Sequence, residues 1–133
     1  MKNEALTEMP EIVISHATIA DLEVVQKLNQ ALCAKENREY DETINADYPF
    51  TEKGEEYFRS RIESADALVL VAKEGPDSVG YLVGAIIEPE DYRTIRTIAE
   101  LENMFIVENY RGKGIGGKLS KQFETGAKRE KYK

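Results

Sequence analysis

The sequence has few of the residues that build disulfides, metal sites or membrane spans. Cys33 is the only cysteine among 133 residues, so neither an internal disulfide nor a cysteine-based zinc site can form. Tryptophan is absent, and His16 is the only histidine. No apolar run approaches the roughly 20 residues that span a bilayer, and the first residues lack the apolar stretch of a signal peptide. We therefore expect a cytoplasmic protein without a metal or a membrane partner.

Charge is distributed unevenly along the chain. The formal net charge is −7, but residues 111–133 carry +6 and the remaining residues −13. An acidic body repels nucleic acid, so we expect no nucleic-acid partner. A basic end suits a compact anionic ligand, although the helix dipole alone also favours basic residues at a helix end. The charge pattern leaves both explanations open.

Hydrophobic periodicity predicts a single α/β domain over residues 1–133, with seven elements in the order β-α-α-β-β-β-α. The segments are a strand at Ile12–Ile14, a helix from Thr18 to about Lys35, a polar loop over Glu36–Phe50, a helix after Thr51, strands at Ala67–Ala72, Val79–Ile87 and Thr97–Val107, and a helix over Gly114–Lys128 with a buried stripe of Ile115, Leu119, Phe123 and Ala127.

A glycine-rich stretch, Asn109–Lys118, lies between the last predicted strand and the last helix. Such a position is an anion site, because the first helical N–H groups lack internal partners and glycines let a phosphate approach the backbone. The stretch matches a dinucleotide fingerprint, but only 16 residues follow Gly117, too few for the acidic ribose ligand expected about 20 residues on. It also matches the start of a P-loop, but Leu119 stands where a magnesium-binding Ser or Thr is required.

The third matching pattern is Arg-x-x-Gly-x-Gly, formed by Arg111, Gly114 and Gly116. The pattern is weak by itself and gains specificity from the second half of the strand before it, Glu102-Asn103-Met104-Phe105-Ile106-Val107. The whole stretch 102–116 resembles the fourth strand, loop and third helix of the GNAT superfamily of N-acetyltransferases. Among them it is most similar to the polyamine and other small-amine acetyltransferases.

The resemblance implies a GNAT-like fold, in which helices lie on both faces of a mixed, mostly antiparallel sheet. It also implies acetyl-CoA as the cosubstrate. In that family the loop amides hold the cofactor pyrophosphate, and the backbone of the preceding strand pairs with the pantetheine arm and polarises the thioester carbonyl. The expected cofactor-binding residues are therefore Met104, Phe105, Ile106, Arg111, Gly112, Lys113, Gly114, Ile115, Gly116, Gly117 and Lys118.

Transfer of an acetyl group to an amine requires a base, because a primary amine has a pKa near 10. Glu102 is the first candidate, since it lies where the resembled enzymes place a glutamate that accepts the amine proton. Glu100 is the second, because residues at i and i+2 of a strand share a face. Both carboxylates could equally lie on a solvated sheet face. His16 is more plausibly structural, and Tyr81 is one of several tyrosines that either line an amine pocket or simply pack.

Members of the resembled family usually continue with further strands and a helix after this point, so the chain is expected to be C-terminally truncated relative to them. Two functions follow. The first is an N-acetyltransferase of a small-molecule or peptide amine, completed by a homodimer or a domain-swapped oligomer, since an unpaired strand edge invites pairing. The second is a catalytically weak or inactive CoA-binding remnant.

Overall fold

The computed structural model describes residues 11–87, 90–94 and 98–131, with the backbone alone for residue 98 and residues 127–131. The predicted element order is confirmed. The elements are β1 (Ile12–His16), α1 (Leu22–Glu39), α2 (Glu52–Glu63), β2 (Ala67–Glu74), β3 (Asp77–Ile87), β4 (Ile98–Ile106) and α3 (Ile115–Lys131), with short 3-10 turns at Ile19–Asp21, Tyr48–Phe50 and Glu108–Tyr110.

The described strands form one sheet in the order β1-β2-β3-β4, and every neighbouring pair is antiparallel. β2 and β3 are joined by a tight turn in which Gly75 has φ of +59°, a conformation that glycine adopts without strain. Since consecutive strands are adjacent, β1 and β4 are the edge strands of the described sheet.

Helices cover both faces of the sheet, as predicted. On the α1–α2 face, Val25 and Phe58 pack on Val71, Tyr81 and Val83. On the α3 face, the predicted stripe of Ile115, Leu119 and Phe123 packs on strand residues that include Leu70 and Leu82. The side chain of Ala127, predicted as the fourth member of that stripe, lies outside the described residues. The alternation of β2 residues between the two cores explains why its sequence is almost continuously apolar.

The first helix is shifted along the chain relative to the prediction, since it begins at Leu22, after a 3-10 turn, and not at Thr18. It ends at Glu39 instead of Lys35, so the expected loop over Glu36–Phe50 begins with a helical turn. Lys35 donates to Glu39 at 2.8 Å, and the Tyr40 N–H donates to the Glu36 carbonyl at 2.9 Å. Polarity was therefore a poor criterion for a loop here, because charged residues also form exposed helical turns.

Two helix starts agree with sequence expectations, whereas the backbone of α3 continues to Lys131, past the predicted end at Lys128. Thr51 caps α2, with its hydroxyl accepting from the Gly54 N–H at 3.1 Å. Asp21 accepts from the Thr18 N–H at 2.8 Å at the start of the turn that leads into α1. Within the part of the chain that the structure describes, no helix is apolar over a length that could cross a bilayer.

Candidate functional site

The glycine loop joins the end of β4 to the start of α3. Gly112 and Gly114 have φ of +78° and +84°, in the left-handed region that other residues enter only with strain. A methyl group added at either position would meet no atom within 4 Å. These glycines are therefore required by the course of the backbone and not by tight packing, and they leave the space in front of the loop open.

Two side chains anchor the loop to the sheet. Tyr110 donates a hydrogen bond to the Glu74 carboxylate at the end of β2, and this bond raises the pKa of the Tyr110 phenol. Arg111 donates from Nε to the Ile106 carbonyl at 2.8 Å, and its guanidinium lies 5.0 Å from the centre of the Phe105 ring. These two contacts hold the loop against the end of β2 and the end of β4, ahead of the first turn of α3.

Backbone N–H groups without helical partners follow Tyr110 and Arg111 along the chain. The first helical hydrogen bond of α3 runs from the Lys118 N–H to the Gly114 carbonyl at 3.1 Å. The N–H groups of Ile115, Gly116 and Gly117 precede that bond and lack helical partners, as at any helix start. Lys113 and Lys118 have exposed side chains beside them. An anionic group such as a pyrophosphate fits this arrangement of amides, helix dipole and cations.

Space for a ligand also lies next to the loop. A cleft of about 470 Å³ separates α1 from the end of β4, and Lys35, Arg38 and Arg111 contribute to its walls. Phe105 packs toward the α1–α2 core, whereas Met104 and Ile106 pack toward the α3 core. Because these side chains point to the two faces of the sheet, backbone groups lie along the outer edge of β4.

β4 contains a bulge at Glu102. Asn103 pairs with Val83 and Leu101 pairs with Gly84, so Glu102 has no partner of its own on β3. A bulge lets two consecutive residues present side chains on one side of the strand. Accordingly, Glu102 and Asn103 both reach the Tyr57 hydroxyl of α2, at 2.7 and 3.0 Å.

Glu102 is held by a two-point ion pair. Arg61 donates from Nε to Oε1 at 2.8 Å and from Nη2 to Oε2 at 2.9 Å, and the Glu102 side chain is only 17% exposed. The Arg61 hydrogen bonds hold the pKa of the Glu102 carboxyl below its usual value, aided by Tyr57, although partial burial opposes them. Glu100 lies opposite Ala85, on the same face as Asn103, and is exposed.

A chain of buried polar groups continues inward from Tyr57. The Asn103 amide accepts from the Tyr81 hydroxyl at 2.5 Å, and that hydroxyl accepts from the Asn29 amide at 2.8 Å. Tyr81 is fully buried, which excludes the predicted possibility that it lines an amine pocket. Cys33 donates to the Asn29 carbonyl oxygen at 3.5 Å at the far end. We call this series of hydrogen-bonded side chains the polar chain; its members are Glu102, Tyr57, Asn103, Tyr81, Asn29 and Cys33.

Sequence reasoning did not identify Tyr57 and Arg61 as the partners of Glu102, nor Asn103 as the second partner of the Tyr57 hydroxyl. One signal was available, because Asn103 breaks the alternation of polar and apolar residues over Glu100, Leu101 and Glu102. One extra residue in the strand produces such a break. His16, the lone histidine, is exposed beside Lys118 and Lys121 in a cleft between β1 and α3.

Comparison with known proteins agrees with this geometry. Residues 30–133 match the model of the acetyltransferase (GNAT) family. Curated proteins gave no match.

Solved structures share the fold at low sequence identity. An acetyltransferase from Vibrio fischeri superposes with a TM-score of 0.71 at 18% identity, covering 89% of this chain and 88% of its own. An aminoglycoside N-acetyltransferase in complex with CoA gives 0.72 at 11% identity, covering 92% and 73%. A ribosomal-protein-alanine N-acetyltransferase from Brucella melitensis biovar Abortus 2308 gives 0.61 at 18% identity, covering 90% and 73%.

Proposed function

The chain belongs to the GNAT acetyltransferase family, and we propose that it transfers the acetyl group of acetyl-CoA to a primary amine of a small molecule or a peptide. The observation that carries the proposal is the continuity of the open glycine loop, the edge of β4 and the Glu102 carboxylate. They lie in succession along one stretch of chain, in the order that cofactor phosphates, a thioester and an attacking amine would require.

Acetyl-CoA is proposed to bind with its pyrophosphate on the free amides of Ile115, Gly116 and Gly117 and with its pantetheine arm along β4. The open space in front of Gly112 and Gly114 supports this, because a phosphate approaches a backbone most closely where there is no Cβ. The edge backbone of Met104, Phe105 and Ile106 would then pair with the amide groups of the arm. Arg111, Lys113 and Lys118 supply positive charge around the loop.

The proposed chemistry is direct attack. The neutral amine nitrogen forms a bond to the thioester carbon, the carbon–sulfur bond breaks, and CoA leaves as a thiolate. A backbone N–H of β4 is proposed to face the oxygen on which negative charge develops, an interaction worth about 3 kcal/mol in comparable sites. The amine must lose a proton on the way, and Glu102 is proposed to accept it, directly or through water, with Glu100 as the second carboxylate on that face.

The acceptor is proposed to be cationic. Residues 36–56, which comprise the end of α1, the connection and the start of α2, carry a net charge of −6. Both helices cover the same face of the sheet as Glu102. An acidic surface raises the local concentration of cations. The aminoglycoside and ribosomal-protein-alanine enzymes act, by their names, on a small molecule and on a protein, so the fold accommodates both sizes of acceptor.

Replacement of Gly114 by alanine tests the cofactor site. A Cβ at φ of +84° strains the loop, so we expect CoA to bind about tenfold more weakly, a cost within the 1–3 kcal/mol typical of such strain. Isothermal calorimetry with CoA measures the affinity, and thiol release in the presence of spermidine measures turnover. Gly75→Ala is the matched control, because Gly75 also has a positive φ and no atom near an added Cβ but lies in the turn between β2 and β3.

The outcomes separate the two functions that the family allows. Acetyl transfer to an amine, together with weaker CoA binding in Gly114→Ala only, supports an active transferase. CoA binding without turnover on any amine would instead support a non-catalytic CoA-binding module. No CoA binding at millimolar concentration would contradict both. A homodimer through the edge of β4 stays a prediction, which the molar mass in solution decides.

A further inference from the structure

The hydrogen bonds around Glu102 leave very little of its carboxylate available. Oε1 accepts from Arg61 Nε at 2.8 Å and from the Tyr57 hydroxyl at 2.7 Å, while Oε2 accepts from Arg61 Nη2 at 2.9 Å. Each carboxylate oxygen has two lone-pair sites. Among the described residues, the two sites on Oε1 are therefore taken, and one site on Oε2 is open.

The direction of these bonds is fixed by the polar chain. Asn103 donates its amide hydrogen to the Tyr57 oxygen at 3.0 Å, so the Tyr57 hydrogen is directed to Glu102. Asn103 is itself oriented, because its carbonyl accepts from Tyr81, which in turn accepts from Asn29. The chain contains two amide links, and amides do not relay protons readily. Its physical effect is orientation, and it presents Glu102 with donors only.

We infer that Arg61 and Tyr57 are positioning residues that hold the Glu102 carboxylate so that a single lone pair of Oε2 faces the acceptor amine. This inference rests on the proposed function. The two-point pairing matters, because only the planar guanidinium fork of arginine binds both oxygens at once. A carboxylate held at three points cannot rotate, so an N–H of the acceptor meets it in one direction.

The bulge makes this arrangement possible. In a regular strand Asn103 would face away from α2 if Glu102 faced toward it, and Tyr57 could not bond to both. The other groups that face Glu102 are few: Glu100 lies on the same strand face, and Tyr81 acts through Asn103. Arg61 is the cation that pairs with the Glu102 carboxylate in the described chain.

The experiment compares Arg61→Gln, Arg61→Lys and Tyr57→Phe with the control Arg59→Gln. Arg59 lies on the same helix and pairs with Glu55 at 2.8 Å, but both of these side chains are largely exposed. We expect kcat with spermidine to fall about a hundredfold in Arg61→Gln, the scale of a misplaced reacting group, and about tenfold in Tyr57→Phe, the loss of one hydrogen bond to a charged group. CoA affinity should not change, and Arg61→Lys should recover only part of the loss.

A second readout does not require turnover. The titration of the Glu102 carboxyl, followed by carbon-13 NMR, should move to higher pH in Arg61→Gln because the cation that stabilises the charged form is gone. It should not move in Arg59→Gln. If kcat and the Glu102 titration of Arg61→Gln match those of Arg59→Gln, the inference is overturned. If the wild-type protein acetylates no amine, the proposed function fails, and the titration still decides whether Arg61 holds Glu102.

Discussion

The two faces of the sheet are built on different physical principles. The α3 face is closed by apolar contacts among residues such as Leu82, Leu119 and Phe123. The α1–α2 face has an apolar core too, but the polar chain runs through it from Asn29 to Glu102, and no buried side-chain nitrogen or oxygen in the described part of the molecule lacks a partner. The α3 face is held by buried apolar area and close packing, whereas the α1–α2 face is held in addition by directional hydrogen bonds.

This difference matches the two tasks proposed for the faces. Apolar contacts are non-directional and fix α3 as a rigid support, whose first turn presents amides to a phosphate. Hydrogen bonds specify orientation, and a buried network that is fully satisfied rigidifies the groups in it. The cofactor loop therefore depends on the apolar face, while the orientation of Glu102 depends on the polar one.

The largest expected effect is on the apolar face. Phe123→Ala should lower the free energy of unfolding by about 3–5 kcal/mol, because it leaves a cavity where the ring covers Gly84. Urea denaturation measures the change. Phe50→Ala is the control for the loss of a phenyl group, since Phe50 is 43% exposed. Equal losses at the two positions would contradict the assignment of Phe123 to the core.

A smaller loss is expected on the polar face. Tyr81→Phe keeps the ring but removes the hydroxyl, leaving the buried Asn29 donor and the half-buried Asn103 acceptor without their partner. The expected cost in unfolding free energy is about 1–3 kcal/mol. Tyr40→Phe removes a hydroxyl from a side chain that is 77% exposed and should cost almost nothing. A Tyr81→Phe protein as stable as wild type, with unchanged kcat, would show that the polar chain does not orient anything.

The smallest expected effect is the pH dependence of the Glu102 ion pair. The folded pKa of Glu102 is lowered, so its contribution is fully present above the unfolded value near 4.3 and is lost as the pH falls through the folded value. Wild type should therefore be about 1 kcal/mol more stable than Glu102→Gln at pH 7, with the difference disappearing in acid. Urea midpoints from pH 7 to pH 3 measure it. A difference that stays constant with pH would assign the loss to shape and not to charge.

Local patterns allowed much of the fold to be predicted. The helical spacing of Ile115, Leu119 and Phe123 identified the buried side of α3, and the continuous apolar run from Ala67 identified a strand buried on both faces. The glycine loop before α3 was predictable for the same reason, because its glycines and the helix start that follows them are contiguous. These signals extend over at most a few helical turns.

The surroundings of Glu102 were not predictable in this way. Tyr57 and Arg61 lie 45 and 41 residues before it, and periodicity within α2 says nothing about which strand they meet. The end of α1 was misplaced for a related reason: the ion pair of Lys35 with Glu39 stabilises a turn whose composition resembles a loop. Pairings across the fold depend on register, and the register of β4 changes at the bulge.

The bulge also changes which residues of β4 share a face, because even-numbered residues before it lie on the same face as odd-numbered residues after it. Before it, the even-numbered Glu100 shares a face with residues that are odd-numbered after it, Asn103 and Phe105. A rule that assigns alternate residues to one side therefore fails at a single point. Removing Glu102 would leave Leu101 opposite Gly84 and Asn103 opposite Val83 as regular neighbours, so no other side chain of the strand would change face. The bulge therefore adds one carboxylate to the strand face toward α2 without turning any other residue.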